Sequence, residues 1–72
     1  MRRRIKRIRL RDYARYIEVE RCDPYLVELS VYDVRTEPPV CEQTVRFLIP
    51  TNGDAKAQCT AWVHRNYPRV SV

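Results

Sequence analysis

Apolar and polar residues alternate with a period of two over much of this chain, which is the side-chain spacing of a β-strand. The clearest run is residues 25–35, in which Val27, Leu29 and Val31 fall on one side. The two prolines in residues 36–39 cannot donate hydrogen bonds to a sheet, so they end the run. This segment is therefore predicted to be a strand with one buried face.

Two other segments follow the same spacing. Residues 16–20 place Ile17 and Val19 on one side, and residues 22–24 supply a turn because proline fixes φ. In residues 40–49 the side predicted to be buried has four apolar residues: Cys41, Val45, Phe47 and Ile49. Together these segments predict an antiparallel meander.

The N-terminal segment has two competing patterns. Residues 4–11 place Ile8 and Leu10 on one face and arginines on the other, which favours a strand. Four residues also fall at helical spacing: Leu10, Tyr13, Ala14 and Ile17. A helix over about residues 5–18 is therefore the alternative. We favour the strand because the segments that follow are strongly β, while the conformation of residues 1–15 stays open.

After residue 50 the apolar period changes to that of an α-helix. Asn52 or Asp54 is predicted to cap a helix that begins near Ala55, because such side chains accept hydrogen bonds from free amides. Four apolar residues form one stripe along this helix: Ala55, Cys59, Trp62 and Val63. The helix is predicted to end at residues 66–68, and residues 69–72 alternate like a short final strand.

These elements predict an α+β fold, in which one C-terminal helix packs across a small antiparallel sheet of three to four strands. Residues 1–11 are expected to form a basic N-terminal arm or edge strand, and residues 12–72 a single small α+β domain. Trp62 is expected at the centre of the core, packed against four strand residues: Val27, Leu29, Val45 and Phe47. A chain this short buries only about 60% of its unfolded surface, so the core must be small.

Charge is distributed unevenly along the chain. The sequence has 14 Lys and Arg residues and 9 Asp and Glu residues, which gives a net charge of +5. Residues 1–11 contain no acid, so residues 12–72 have a net charge of −2. We call the cationic residues of this N-terminal segment the basic arm: Arg2, Arg3, Arg4, Lys6, Arg7, Arg9 and Arg11.

The pattern of nucleophiles and metal-ligand residues predicts neither a catalytic site nor a metal site. The three cysteines and one histidine lack the close pairing of zinc ligands. Cys59 and His64 lie five residues apart, which places them on different sides of a helix. We therefore expect no enzymatic activity, no cofactor and no small-molecule substrate.

Two composition features bear on location. No stretch exceeds three consecutive apolar residues, so no contact with a membrane is expected. An odd number of cysteines, Cys22, Cys41 and Cys59, indicates free thiols and a reducing compartment rather than a disulfide framework. We therefore expect a cytoplasmic protein.

The basic arm is the main candidate for binding an anionic partner. Each guanidinium can neutralise a phosphate and release a counterion, and arginine makes bidentate contacts with phosphates and carboxylates. Tyr13 and Tyr16 follow the arm and are candidates for base stacking. Charge alone does not distinguish nucleic acid from an acidic protein surface. Charged residues also protect edge strands from aggregation, which is the structural alternative.

Two resemblances add to this interpretation. Residues 53–62, which follow three predicted strands, look like the last helix of a double-stranded-RNA-binding domain, a family that implies phosphate-gripping lysines at the helix start. Lys56 is the residue in that position, although the family's glycine- and histidine-containing loop is missing. The overall plan resembles the small phage-encoded regulators of host machinery, such as RNA polymerase inhibitors and anti-CRISPR proteins. That resemblance implies the cytoplasm of a bacterial host.

The sequence therefore leads us to expect a non-enzymatic phage-type regulator or inhibitor. It would bind a host nucleoprotein machine, RNA polymerase or a CRISPR complex, through its body and the basic arm. The alternative is a direct nucleic-acid-binding module that uses the arm and the adjacent tyrosines. A third possibility is an assembly protein whose exposed edge strand pairs with another chain.

Overall fold

The computed structural model describes residues 2–69, which form a four-stranded antiparallel sheet and one α-helix. The strands are paired in chain order, so the sheet is a meander. The elements are β1 (Arg3–Leu10), β2 (Arg15–Arg21), β3 (Leu26–Asp33), β4 (Val40–Leu48) and α1 (Asn52–Asn66). This arrangement confirms the predicted α+β fold class. Of the short strand predicted for residues 69–72, residues 70–72 lie outside the described residues.

The N-terminal segment is an edge strand, as its alternation predicts, and not the alternative helix. β1 pairs with β2 along its length, with Ile8 opposite Ile17, and one irregularity interrupts the register between Arg4 and Lys6. Ile8 and Leu10 are buried in this strand. Pairing with β2 satisfies the backbone of β1 while it buries these two side chains, which explains why the strand pattern prevails over the helical one.

The core lies between one face of the sheet and α1. Twelve buried hydrophobic residues form it: Ile8, Leu10, Ile17, Val19, Val27, Leu29, Val31, Ile49, Ala55, Cys59, Trp62 and Val63. Trp62 belongs to this cluster, which confirms that it is a core residue, but at 8% exposed it lies at the margin of the cluster rather than at its centre. Val45 and Phe47 of β4 pack against the cluster but are only half-buried, because β4 is the other edge of the sheet.

The stripe predicted for α1 is confirmed, but the predicted cap is wrong. Thr51 has extended backbone angles, and its hydroxyl accepts a hydrogen bond from the Asp54 amide at 3.1 Å. The helix therefore begins at Asn52, earlier than predicted. At the other end, the Tyr67 amide donates to the Val63 carbonyl at 2.7 Å.

The predicted orientation of Cys41 is also wrong. The register pairs Val31 with Gln43 but Tyr32 with Cys41, so Glu42 is an extra residue in β4. An extra residue reverses the alternation of the strand beyond it. Cys41 is consequently exposed on the side of Tyr32 rather than buried with Val45.

The sheet thus has two faces, which we call the core face and the open face. Side chains of the core face contact α1, whereas no helix within residues 2–69 covers the open face. The open face has mostly charged and aromatic side chains, which alternate with the core residues along each strand. In the same range of residues, no helix has both the length and the apolar character needed to span a lipid bilayer.

A candidate anion-binding groove beside the open face

Three glutamates occupy the centre of the open face and pair with arginines around them. Glu28 of β3 contacts Arg2 at 2.7 Å and Arg46 at 2.8 Å. Hydrogen bonds from Arg2 and then from Arg46 lower the pKa of Glu28, and they outweigh the opposing effect of its burial. Glu28 is therefore ionised at neutral pH, and it holds arginines from both edges of the sheet.

Glu18 and Glu20 of β2 extend this ion-pair network toward β1. Glu18 contacts the Arg7 guanidinium at 2.6 Å and Arg4 at 3.7 Å. Glu20 contacts Arg2 at 3.4 Å. The strand register places Arg7 directly opposite Glu18, whereas Arg4, which lies opposite Glu20, reaches diagonally to Glu18.

The ion pairs divide the basic arm into two sets. Three of its seven predicted anion-binding residues, Arg2, Arg4 and Arg7, already contact carboxylates of this chain. Within the described part of the chain, the other four make no ion pair: Arg3, Lys6, Arg9 and Arg11. Unpaired positive charge is therefore less than the sequence suggests, and its position in the fold becomes decisive.

The two tyrosines predicted as stacking residues lie in different environments. The ring of Tyr13 packs edge-on against Tyr67 at 4.8 Å, and the Arg69 guanidinium lies 5.3 Å from its centroid. A hydrogen bond with Arg69 lowers the pKa of Tyr13. Tyr13 also packs against the hydrophobic core, so it lies away from the open face.

Tyr16 lies on the open face and has a partner that the sequence analysis missed. Its ring stacks on Tyr32 with centroids 4.9 Å apart and planes 12° apart, and the Arg7 guanidinium is 4.8 Å from its centroid. The signal for Tyr32 was present in the sequence, since it lies on the polar side of the clearest strand, and the register places it opposite Tyr16.

A groove of about 480 Å³ lies at one end of the sheet, and two of the four unpaired residues of the basic arm, Arg9 and Arg11, line it. Four arginines line it. Arg7, Arg9 and Arg11 belong to the basic arm, and Arg15 belongs to β2. Its less polar lining is Ala14, Tyr16 and Val34. We call this feature the arginine groove.

The β1–β2 hairpin builds the arginine groove. The alternation of β1 places Arg7 and Arg9 on the open face, and a 3₁₀ turn at Arg11–Tyr13 then reverses the chain. Ala14 completes the turn with φ 54° and ψ 45°, in the left-handed region that residues with a Cβ rarely adopt. The Ala14 carbonyl also accepts a hydrogen bond from the Val34 amide at 3.1 Å, which ties this turn to the end of β3.

Arg15 has a structural role in the groove. Its guanidinium donates to the Tyr13 and Ala14 carbonyls at 3.0 and 3.2 Å and forms ion pairs with Asp33 and Glu42. No pattern in the sequence indicates that Arg15 lines the groove, because Arg15 follows the basic arm and only the fold of the hairpin brings it there.

Arg9 and Arg11 are the two groove arginines that make no ion pair with any described residue. Both are exposed, and both lie next to the arginines that carboxylates hold in place. Guanidinium groups of this kind can donate two parallel hydrogen bonds to one phosphate or carboxylate. The groove is therefore suited to hold an anion.

The other polar residues singled out in the sequence lie elsewhere. Cys59 is fully buried in the core, and this burial raises the pKa of its thiol to about 11. His64 is exposed on α1. No cluster of three or more His, Cys, Asp or Glu residues among residues 2–69 could hold a metal ion. Lys56, the residue that resembles a phosphate-gripping lysine, is exposed on α1, on the side of the sheet away from the open face.

Comparison with known proteins identifies no relative of this chain. Inference about function therefore depends on the chemistry of the arginine groove and of the surfaces around it. No protein-family model matches this chain, and no match was found among curated proteins or among solved structures.

Proposed function

We propose that this protein is a non-enzymatic module that binds single-stranded nucleic acid through the arginine groove. The observation that supports the proposal is the grouping of four arginines around one groove, next to the open-face ring of Tyr16. Arginine recognises phosphate in a planar, bidentate manner, and bases stack on aromatic rings and on arginine guanidinium planes in many single-strand binders. This combination favours a ligand that has both phosphates and planar rings.

Arg9 and Arg11 supply most of the binding energy in this proposal. Arg7 and Arg15 already contact carboxylates, so an incoming phosphate gains less from them. Each phosphate that a free guanidinium neutralises releases a counterion, and for single strands the logarithmic salt slope is about −0.7 per contact. Two such contacts predict a slope of about −1.4.

The first prediction is that exchanging both unpaired groove arginines for glutamine removes most of the affinity. Fluorescence anisotropy of a labelled single-stranded oligonucleotide, between about 50 and 200 mM salt, measures it. We expect the Arg9→Gln/Arg11→Gln variant to bind at least about tenfold more weakly, with a nearly flat salt dependence, because the neutralised phosphates are lost.

Arg46→Gln is the matched control. Arg46 also lies on the open face and has the same charge, but it belongs to β4, at the other edge of the sheet, and it pairs with Glu28. This variant should bind almost as well as the wild type. If Arg46→Gln weakens binding as much as Arg9→Gln or Arg11→Gln alone, affinity depends on overall charge and the groove is not the site.

A second candidate function is favoured by the exposure of β4. This nine-residue edge strand has Leu48 81% exposed and Val40 53% exposed, a composition suited to contact with a protein. In this alternative the protein is a phage-type regulator that docks on a protein component of a host nucleoprotein machine, RNA polymerase or a CRISPR complex.

A pulldown from bacterial lysate with and without nuclease separates the two functions. A partner that survives nuclease treatment and is lost with Leu48→Glu supports docking on protein. A partner that disappears after nuclease treatment and also with Arg9→Gln/Arg11→Gln supports direct binding of nucleic acid. Leu48 is exposed, so the substitution should leave the fold intact.

A further inference from the structure

The unpaired positive charge of the open face lies at the end occupied by the arginine groove. Beyond the groove, Glu18, Glu20 and Glu28 occupy the centre of the face, and their carboxylates engage the nearby arginines. A nucleic-acid backbone continuing across this face would meet arginines that these carboxylates already hold. Their ion pairs weaken the attraction for further phosphates. The face therefore favours a ligand whose negative charge is concentrated at one point.

The unpaired charge in the groove fits one particular form of phosphate. Arg9 and Arg11 together provide two positive charges that no described carboxylate neutralises. A phosphodiester inside a strand has one negative charge. A terminal phosphate monoester has about −1.5 to −2 at neutral pH, since its second pKa is about 6. The monoester is thus the better match to this pair of guanidinium groups.

The rest of the groove lining fits a planar ring beside that phosphate. Val34 is 44% exposed, so its apolar side chain is accessible from the groove, and a backbone hydrogen bond holds Ala14 next to it. A volume of about 480 Å³ lies within the range of about 300–1,000 Å³ that is typical of small-ligand sites. A base can therefore lie against Val34 and Ala14 while its phosphate contacts the arginines.

We propose that the arginine groove recognises the phosphorylated end of a single nucleic-acid strand. Arg9 and Arg11 bind the terminal phosphate monoester, and the terminal base packs against Ala14 and Val34. The proposal rests on the proposed function and deepens it, since it names the part of the nucleic acid that is bound. The Arg7 guanidinium, which lies over the Tyr16 ring beside the groove, can stack with the next base, which favours a nucleic acid over a phosphotyrosine peptide.

The test compares three oligonucleotides of one sequence: one with a 5′-phosphate, one with a 3′-phosphate and one with neither. We expect one phosphorylated form to bind at least tenfold more tightly than the unphosphorylated form at pH 7.5, which also identifies the end that is recognised. The preference should shrink at pH 5.5, because the monoester then binds its second proton. It should disappear in Arg9→Gln/Arg11→Gln.

Equal binding of all three oligonucleotides overturns end recognition and leaves the proposed function standing. No binding of any of them overturns both. Tighter binding of a phosphotyrosine peptide than of the phosphorylated oligonucleotide also overturns the assignment, in favour of a protein ligand. Val34→Ser tests the ring contact: it should weaken competition by a nucleoside monophosphate but not by inorganic phosphate. If Val34→Ser changes neither competition, the assigned position of the base is wrong.

Discussion

The two faces of the sheet are made by the same strands and have opposite chemistry. On β2, Ile17 and Val19 are fully buried, while the neighbouring Tyr16 and Glu18 lie on the open face. A shift of one residue along a strand therefore separates the core from the ion-pair network. This closeness means that the open face can be altered chemically without disturbing the packing beneath it.

The faces also differ in how much they stabilise the fold. Burial of a Leu, Ile or Val side chain contributes about 1.5–3 kcal/mol, whereas an exposed ion pair contributes about 0–1 kcal/mol. The core face, with α1 packed on it, thus supplies most of the folding free energy. The open face presents charged and aromatic side chains and contributes little to the folding free energy. A short chain that uses one face for stability can in this way use the other face for binding.

The largest expected effect comes from a substitution in the core. Trp62→Ala should lower the free energy of unfolding by about 3–5 kcal/mol, because it removes a large side chain that is only 8% exposed. Leu48→Ala on the open face is the control and should change it by less than about 0.5 kcal/mol. Urea denaturation followed by circular dichroism measures both. Similar losses in the two variants would contradict the assignment of faces.

The sequence predicts the core face well, because burial leaves a regular pattern. The period of two in residues 25–35 identifies Val27, Leu29 and Val31, and all three are fully buried. The helical period likewise identifies the buried stripe of α1. The buried residues of one element face the same neighbouring element, so they recur at the period of that element. A short stretch of sequence is therefore enough to recognise them.

Features that depend on single residues or on pairing between strands are harder to predict. The bulge at Glu42 exposes Cys41, and nothing in the alternation of β4 indicates an extra residue. Arg2 looks like a free cation in the sequence, yet the fold brings it within 2.7 Å of Glu28. The arginine groove was only partly predictable, since its arm residues stand out by charge while Arg15 joins them through the hairpin.

The hairpin turn that carries the groove belongs to neither face, and its strain can be tested. An L-residue in the left-handed region costs about 1–2 kcal/mol, which glycine avoids, although glycine loses more conformational entropy on folding. Ala14, at φ 54°, should therefore tolerate glycine, and Ala14→Gly should stabilise the protein by about 0.5–1 kcal/mol.

Ala57→Gly is the matched control for the turn. Ala57 is exposed within α1, so the same substitution should destabilise the protein by about 1 kcal/mol. Opposite signs in thermal denaturation would support the left-handed turn. A loss of stability in both variants would contradict it, and would also remove the turn geometry on which the arginine groove depends.

The smallest expected effect is a change in the free energy of unfolding with pH, which the open face should show because its carboxylates titrate. In the folded protein, the two arginine partners of Glu28 lower the pKa of this carboxyl below its ordinary value of 4.5. The stabilisation by this carboxylate is therefore complete above about pH 4.5 and is lost as the pH falls through the lower folded pKa. Glu28→Gln should cost about 0.2–1 kcal/mol at pH 7, the range of one cross-strand charge pair, and progressively less in acid.

Glu37→Gln is the control, because Glu37 is exposed in the loop between β3 and β4 and makes no ion pair within residues 2–69. Urea denaturation of both variants between pH 3 and pH 7 should show a gap that closes in acid only for Glu28→Gln. A gap that stays constant with pH would mean that Glu28 stabilises the sheet through packing rather than charge. The carboxylates would then not neutralise the arginines around them, and the positive charge of the open face would extend well beyond the arginine groove.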